Sequence, residues 1–360
     1  MFLTKDEWKI YKRRNIKRLV DYYFIKISNL NKNLYEFLTK HPKIKNIVVQ
    51  CLLKKYKLEF RLYRKPSVPN LDFMLNSKCT LNCEKCCSLM PMYTKEASFC
   101  EDFESFKIHL DNLLKSVHHI SRLQILGGEP FLNREIGKMI EYASKKRQIE
   151  SIVTITNGTI VPEDKILNIY KKYKHKNYVD ISDYSEELPG IKTDEVYDAI
   201  KNKAIPVFKS SYEWFERGDI YKENRNIADL KKMMASCWQH NCLVYAMGEF
   251  HLCSRSVAIK RILQDFPQDY ILVSNQNAAK EIAKMYCKEY IEACDYCHTR
   301  NDIKIPRGIQ LDKTIKPETL VAVSYTLWRC QKVAGRSTRL PGAGLWKYEV
   351  HSPSMILHLV

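Results

Sequence analysis

Apolar residues recur at three- and four-residue intervals through "DEWKIYKRRNIKRLVDYYFIKISNLNKNLYEFL", and the same period runs on to residue 65. This pattern predicts a layer of amphipathic helices over residues 7–65. "KPSVPN" (65–70) carries two prolines, breaks the period and marks the first boundary. Beyond it, short apolar runs alternate with segments of helical period. "LDFML" (71–75), "RLQIL" (122–126), "IESIVTIT" (149–156), "YVDIS" (178–182) and "IPVFKS" (205–210) predict strands. Between them, "CEDFESFKIHLDNLLKSVHHI" (100–120), "REIGKMIEYASKK" (134–146), "PEDKILNIYKKY" (162–173) and "TDEVYDAIKNK" (193–203) predict helices. The third opens on proline and two acids, as a first turn prefers. Alternation of this kind argues for an α/β fold of parallel βα units, with functional groups at the C-terminal ends of the strands. Residues 70–212 hold too few repeats for eight, so an incomplete barrel is expected.

The period changes again after residue 212. "CLVYAMGEFHLC" (242–253) predicts a hairpin turning at Gly248, and "NAAKEIAKMYCKEYIEAC" (277–294) a helix. The last fifty residues show no clear period. The division that follows is a basic helical region (1–69), a core (70–212), a small cysteine-rich domain (213–310) and a loosely ordered tail (311–360).

A hydrophobic share of 45% over 360 residues gives ample core and excludes a disordered chain. The net charge of +18 is uneven: residues 1–70 hold 18 Lys and Arg against 5 Asp and Glu, a surplus of 13. Such a face could meet nucleic acid, an anionic membrane surface or an acidic partner, or could be a solvated lysine-rich layer. No nucleic-acid-binding module accompanies it, so nucleic acid is not the expected partner. The N-terminus lacks the apolar core of a secretory leader, and no apolar run approaches the length of a membrane span. The expected compartment is the cytoplasm, where thiols stay reduced and thirteen cysteines point to metal or cluster ligation over disulfides.

"KCTLNCEKCC" (78–87) follows the first predicted strand and holds Cys79, Cys83, Cys86 and Cys87. Three thiolates spaced C-x3-C-x2-C can cap three irons of a 4Fe–4S cubane and leave the fourth open. A structural zinc would need a fourth ligand, which Cys87 could provide, and usually uses paired C-x2-C knuckles; buried free thiols are the remaining alternative. The second core strand runs into "LGGEP", where Gly127 and Gly128 allow close backbone approach and Glu129 could pair with a ligand ammonium. The third ends at "TNG", where Asn157 offers polar contacts, and the fourth at Ser182-Asp183, suited to ribose hydroxyls.

On C-x3-C-x2-C after the first strand, GGEP after the second and the βα order, residues 70–212 resemble the radical S-adenosylmethionine (SAM) superfamily. The resemblance implies a partial (β/α)6 barrel in which Cys79, Cys83 and Cys86 hold a 4Fe–4S cluster whose open iron binds the amino and carboxylate groups of SAM. Gly127, Gly128 and Glu129 would lie at its methionine end, with Asn157, Ser182 and Asp183 as further cofactor contacts. Lys85 departs from the pattern, since the family usually has an aromatic before the third cysteine.

Cys237, Gly248 and Cys253, then Cys294 and Cys297, resemble the twitch or SPASM-type auxiliary-cluster module of radical SAM enzymes. That implies one auxiliary iron–sulfur cluster, expected as 4Fe–4S, with Cys242 an alternative to Cys237. Structural zinc stays open for these four, and "CDYCH" (294–298) also matches a c-type haem attachment pattern. Cys51, Cys100, Cys287 and Cys330 read as buried or incidental thiols.

The implied activity is an oxidoreductase that cleaves SAM to a 5′-deoxyadenosyl radical and abstracts hydrogen from substrate. Two-electron oxidation of a sugar, polyol or aminocyclitol leads; peptide modification is the rival. The expected partners are a small-molecule or peptide substrate and an electron donor such as flavodoxin or ferredoxin. A non-catalytic iron–sulfur or zinc scaffold is the reading of another class.

Overall fold

The computed structural model describes residues 3–218, 220–237, 243–264, 269–298, 303–312 and 314–322. The tail from residue 323 on, with Cys330, and Cys242 lie outside the described residues. The expected N-terminal helices form as α1 (Lys5–Tyr11), α2 (Lys17–Leu30), α3 (Lys32–Lys40) and α4 (Pro42–Tyr63), with one π-helical turn, Lys12–Ile16, between α1 and α2. The breaks have local causes. Asn31 caps α3 by accepting from the Leu34 amide at 2.9 Å, and Pro42 opens α4 at a position where its missing N–H costs nothing.

The chain then enters a parallel sheet through β1 (Ser67–Val68) and β2 (Leu71–Met74), followed by β3 (His119–Leu126), β4 (Ile149–Thr156), β5 (Asn177–Ser182) and β6 (Val207–Ser210). Strands β2 to β6 pair in chain order, and β1 pairs with the start of β3. The crossovers are α5 (Phe103–Ser116), α6 (Ile136–Ser144), α7 (Asp164–Lys172) and α8 (Thr193–Asn202). All four residues of β2 are buried, as a strand covered on both faces requires. Phe73 lies between Phe106 of α5 and Tyr245, with ring centroids 4.9 and 5.0 Å apart.

After the small strand β7 (Trp214–Phe215) and helix α9 (Ile227–Ser236), the expected hairpin forms from β8 (Leu243–Ala246) and β9 (Glu249–His251) around Met247-Gly248. It belongs to the same sheet: β8 runs parallel to β2 on the side away from β3. Helix α10 (Ser254–Leu263), β10 (Tyr270–Leu272) at the sheet edge, helix α11 (Ala278–Met285) and β11 (Lys304–Ile305), which pairs with β7, complete the described fold.

Two predicted helices are shorter than their period suggested. The segment 100–120 is helical only to Ser116, because the Gln148 carboxamide donates to the carbonyls of Leu114, Val117 and His118, and His119 then begins β3. The segment 277–294 is helical only to Met285. There Arg14 of the π turn donates to the carbonyls of Tyr286 and Lys288, and Tyr286 packs edge-on against Tyr11 at 5.7 Å. In the first case a distant side chain takes a carbonyl that a further turn would have used, and in the second Arg14 holds the carbonyls just beyond the helix end.

The N-terminal layer rests on the entry ends of the strands. Asn15 donates to the Ser67 carbonyl at 2.8 Å, Tyr22 bonds Ser151 at 2.8 Å, and Lys26 pairs with Glu150. The opposite, C-terminal ends are left for the loops.

Asp72 of β2 is buried and accepts from Gln124 at 2.7 Å and Asn70 at 3.4 Å. Burial pushes its carboxyl up to about 7, although Arg122 and the two amide donors pull it down. The folded value lies above the unfolded one, so the group's favourable contribution is complete below pH ~4 and is lost as pH rises through ~7. Asp72→Asn should therefore raise stability by on the order of a few kcal/mol above pH ~7 and change it little below pH ~4. Denaturant titrations at the two extremes check this; an equal shift at both would contradict it.

Candidate metal centre

Because β2, β3, β4 and β5 are parallel neighbours, the segments leaving their C-terminal ends meet on one rim. They are the cysteine loop after Met74, the Gly-Gly turn after Leu126, Asn157 after Thr156, and Asp183 after Ser182. The residues that the sequence spread over about a hundred positions thus converge, as the strand-end argument expected.

The two glycines serve a close approach of backbones. A Cβ on Gly127 would stand 2.6 Å from the Asn76 carbonyl oxygen, and one on Gly128 would stand 2.1 Å from the Lys78 oxygen and 2.8 Å from the Cys79 nitrogen. The Gly128 amide donates to Asn76 at 3.0 Å and the Glu129 amide to Lys78 at 2.8 Å. The turn is thereby laced to the chain that leads into Cys79. Glu129 is fully buried, and its carboxylate accepts from the Phe131 amide at 3.0 Å, the Thr156 hydroxyl at 2.9 Å and the Asn157 amide at 2.9 Å. In this arrangement protein donors take up the carboxylate, which joins the ends of β3 and β4. Burial pushes it up to about 6 despite those donors.

Each of the three loop sulfurs has N–H donors. Cys79 receives the Leu81 amide and, at 3.4 Å, the carboxamide of Asn157. Cys86 receives the amides of Met90 and Ser88. Cys83 receives the carboxamide of Gln310 at 3.2 Å. Burial nevertheless pushes all three thiols up, Cys79 to about 11, and each of the outer two is raised further by Cys83. Thiols held neutral by desolvation, yet surrounded by donors suited to thiolate, fit a positively charged metal group that would supply the missing countercharge. Cys87 is exposed, and its sulfur lies 3.9 Å from the Ser88 hydroxyl. Among the described residues no three His, Cys, Asp or Glu side chains converge closely enough to hold a single ion as they stand.

Gln310 was invisible to sequence reasoning, since nothing local marks it. Residues 309–311 run antiparallel to the cysteine loop: the Glu84 amide donates to Ile309 at 2.9 Å, and the Leu311 amide to Asn82 at 2.8 Å. The Gln310 oxygen accepts from the Asn82 amide at 2.7 Å, while its nitrogen donates to Gly308 at 2.6 Å as well as to Cys83. These three contacts fix which end of the carboxamide faces the sulfur.

On the next strand end, Ser182 is half-buried and Asp183 accepts from the Ser185 amide at 3.0 Å. Partial burial opposes ionisation of Asp183, but the Ser185 donors, with Lys209 and Arg307 nearby, hold it below the usual carboxylate range. Tyr184, also missed, lies beside the loop: burial raises its hydroxyl, and the four loop thiols raise it further. Its ring packs against Gly308 and edge-on to Trp214 at 6.0 Å. Lys85 faces Glu216 at 3.9 Å.

The second cysteine set also gathers. Cys237 ends α9, Cys253 is the N-cap of α10, and Cys294 and Cys297 lie on and just after a 3-10 turn, Glu292–Tyr296. Burial raises the Cys253 thiol most, followed by Cys294, Cys297 and Cys237; Cys294 is likewise raised by burial, then by Cys297 and Cys237. Buried Asp295 ties this turn down by accepting from the amides of Asn224 at 3.0 Å and Arg225 at 2.9 Å. Of the other cysteines, Cys51 and Cys100 are exposed and Cys287 is buried, donating to the Glu7 carbonyl at 3.3 Å.

Gly128→Ala should displace the loop, because backbone cannot yield as a flexible side chain can. The expected result is a lower melting temperature together with loss of iron and sulfide uptake on anaerobic reconstitution. Retention of both would contradict the packing role of this glycine.

A family described as a 4Fe-4S single cluster domain matches residues 72–182, which contain all three loop cysteines and end at the close of β5. The chain is 33% identical over 99 residues to a GTP 3′,8-cyclase of Clostridium acetobutylicum. That stretch is 26% of this chain and spans about 30% of the relative's length. Among solved structures, BtrN in complex with AdoMet and 2-DOIA overlays at a TM-score of 0.40 and 16% identity, covering 67% of this chain and 97% of that one. The anSMEcpe structure with bound AdoMet gives 0.36 and 13%, covering 75% and 99%. Streptococcus suis SuiB bound to S-adenosylmethionine gives 0.32 and 15%, covering 52% and 48%. The overlays are loose; the family match covers the stretch that holds the cysteine loop, the glycine turn and strands β2 to β5.

Proposed function

We propose that the chain is a radical SAM oxidoreductase, a reading carried by the convergence of three donor-lined thiols with the Gly-Gly turn on one strand-end rim. Cys79, Cys83 and Cys86 would hold a 4Fe–4S cluster and leave one iron for SAM. When bound, the cluster would supply one-electron reductive cleavage of SAM, with the electron from a donor such as flavodoxin or ferredoxin, and so the radical chemistry of hydrogen abstraction from substrate.

The chain's own groups do the positioning. Gly127 and Gly128 hold the loop against the sheet, while Glu129 braces β3 to β4 and fixes the Asn157 amide. With that carboxylate occupied, the backbone of the turn is the acceptor left for the SAM ammonium. Asn157 and Gln310 donate to the sulfurs of Cys79 and Cys83, which delocalises thiolate charge and orients the loop. Asp183, held ionised, and Ser182 would accept ribose hydroxyls. Tyr184 supplies an aromatic face beside the loop where Lys85 does not.

Cys237, Cys253, Cys294 and Cys297 would hold one auxiliary cluster, with Cys242 the alternative to Cys237. A single such set supports a path for the second electron, and so two-electron oxidation of a hydroxyl-bearing carbon in a sugar, polyol or aminocyclitol. Peptide modification is the second reading, because a cluster at that place can equally hold a substrate.

Anaerobic reconstitution followed by SAM and dithionite should yield 5′-deoxyadenosine, and Cys83→Ala should abolish it; absence of the product from the intact protein sinks the enzyme reading. Two cubanes hold eight irons, and iron at only half that content would reject the auxiliary cluster while leaving the loop assignment standing.

A further inference from the structure

Part of the basic surplus of the N-terminal layer surrounds a cavity. Between the π turn and helices α2, α3 and α4 lies a space of about 660 Å³, within the ~300–1,000 Å³ usual for small-ligand sites. Its interior is apolar, formed by Val20, Phe24, Val49 and Leu53, and Lys12, Arg13, Lys17 and Lys45 stand around it. A second space of about 430 Å³ shares Arg13 and Lys17 and adds Arg14 and Arg18. Asp21 is the only acid lining either. Lys12, Arg13 and Lys17 are exposed and make no ion pair among the described residues, whereas Arg14 is committed to the carbonyls after α11. Large apolar side chains are also bare on the layer: Ile25, which lines the cavity, is 55% exposed, Phe37 of α3 45% and Ile47 of α4 63%.

The layer rests on the entry ends of the strands, so this cavity stands across the sheet from the cysteine rim. A strand of eight residues puts the two roughly 25 Å apart. It therefore cannot hold the reacting part of a substrate bound at the rim. A folded acidic partner would use the cations but leave the apolar depth empty, and nucleic acid would do the same.

We propose that this face docks on an anionic phospholipid membrane surface, with the lipid phosphate among Lys12, Arg13 and Lys17 and one acyl chain in the cavity. Ile25, Phe37 and Ile47 enter the headgroup boundary, as apolar side chains beside a basic helix face do. Docked this way, the cysteine rim points away from the bilayer, toward soluble substrate and electron donor. The proposal stands independently of the radical chemistry.

The test is co-sedimentation of the full chain with vesicles of phosphatidylcholine alone and of an equal mixture with phosphatidylglycerol. Binding should require phosphatidylglycerol, and Arg13→Glu with Lys17→Glu should weaken it by roughly thirtyfold or more, about fivefold for each cation lost. Filling the cavity with Val49→Trp, or with Ser28→Phe if the first alters melting, should weaken it as well. Equal binding to both vesicles, no binding, or insensitivity to the cavity-filling variant each overturns the proposal. So does binding of polyglutamate or single-stranded DNA, with the same arginine dependence, in place of vesicles.

Discussion

The candidate site depends on one close contact, that of the Gly127-Gly128 backbone with the backbone from Asn76 to Cys79. A Cβ on Gly128 would stand only 2.1 Å from the Lys78 carbonyl oxygen, so no other residue type fits there without moving one of the two loops. That contact sets where the cysteine loop begins. Glu129 then carries the same constraint to β4 through Thr156 and the Asn157 amide, and Asn157 returns to the Cys79 sulfur. A closed circuit of backbone and buried side chains thus fixes one end of the loop, and residues 309–311 fix the middle by strand-like pairing. Positioning by rigid neighbours of this kind is what a catalytic constellation needs.

The electrostatics follow from the same packing. Burial makes the thiolate form of the three loop cysteines costly, and amide and carboxamide donors offset part of that cost without supplying a full charge. A cation held by the three sulfurs would supply the remaining charge. The second set repeats the pattern with Cys253 at a helix N-terminus, where the first-turn amides favour a negative sulfur. Because β8 joins β2, the hairpin that leads into Cys253 extends the same sheet that carries the cysteine loop.

Much of this was legible in the chain. Short apolar runs alternating with segments of helical period gave the parallel strands, and their ends gave the rim that unites Cys79, Gly128, Asn157 and Asp183. The resemblance carried by C-x3-C-x2-C set three cysteines apart from the fourth, Cys87, which is exposed. What escaped was set by long-range partners. Gln148 and Arg14 bind carbonyls at or just beyond the ends of helices that local periodicity would have prolonged, and Gln310 reaches Cys83 from a segment that looked like the edge of a tail. Such contacts leave no periodic trace, because one polar residue in a loop has no pattern around it. The burial of Glu129 was equally hidden: a carboxylate after two glycines looks like a ligand contact until the strand beside it is seen to fill its oxygens.

The central claim is that the cluster bound by Cys79, Cys83 and Cys86 keeps an iron open to SAM. Electron paramagnetic resonance of the dithionite-reduced protein tests it most directly, in a variant with Cys237, Cys253, Cys294 and Cys297 replaced by serine so that only the loop cluster remains. The account predicts a 4Fe–4S signal whose g-values change when SAM is added. A spectrum indifferent to SAM, or a variant that binds no cluster at all, would contradict it.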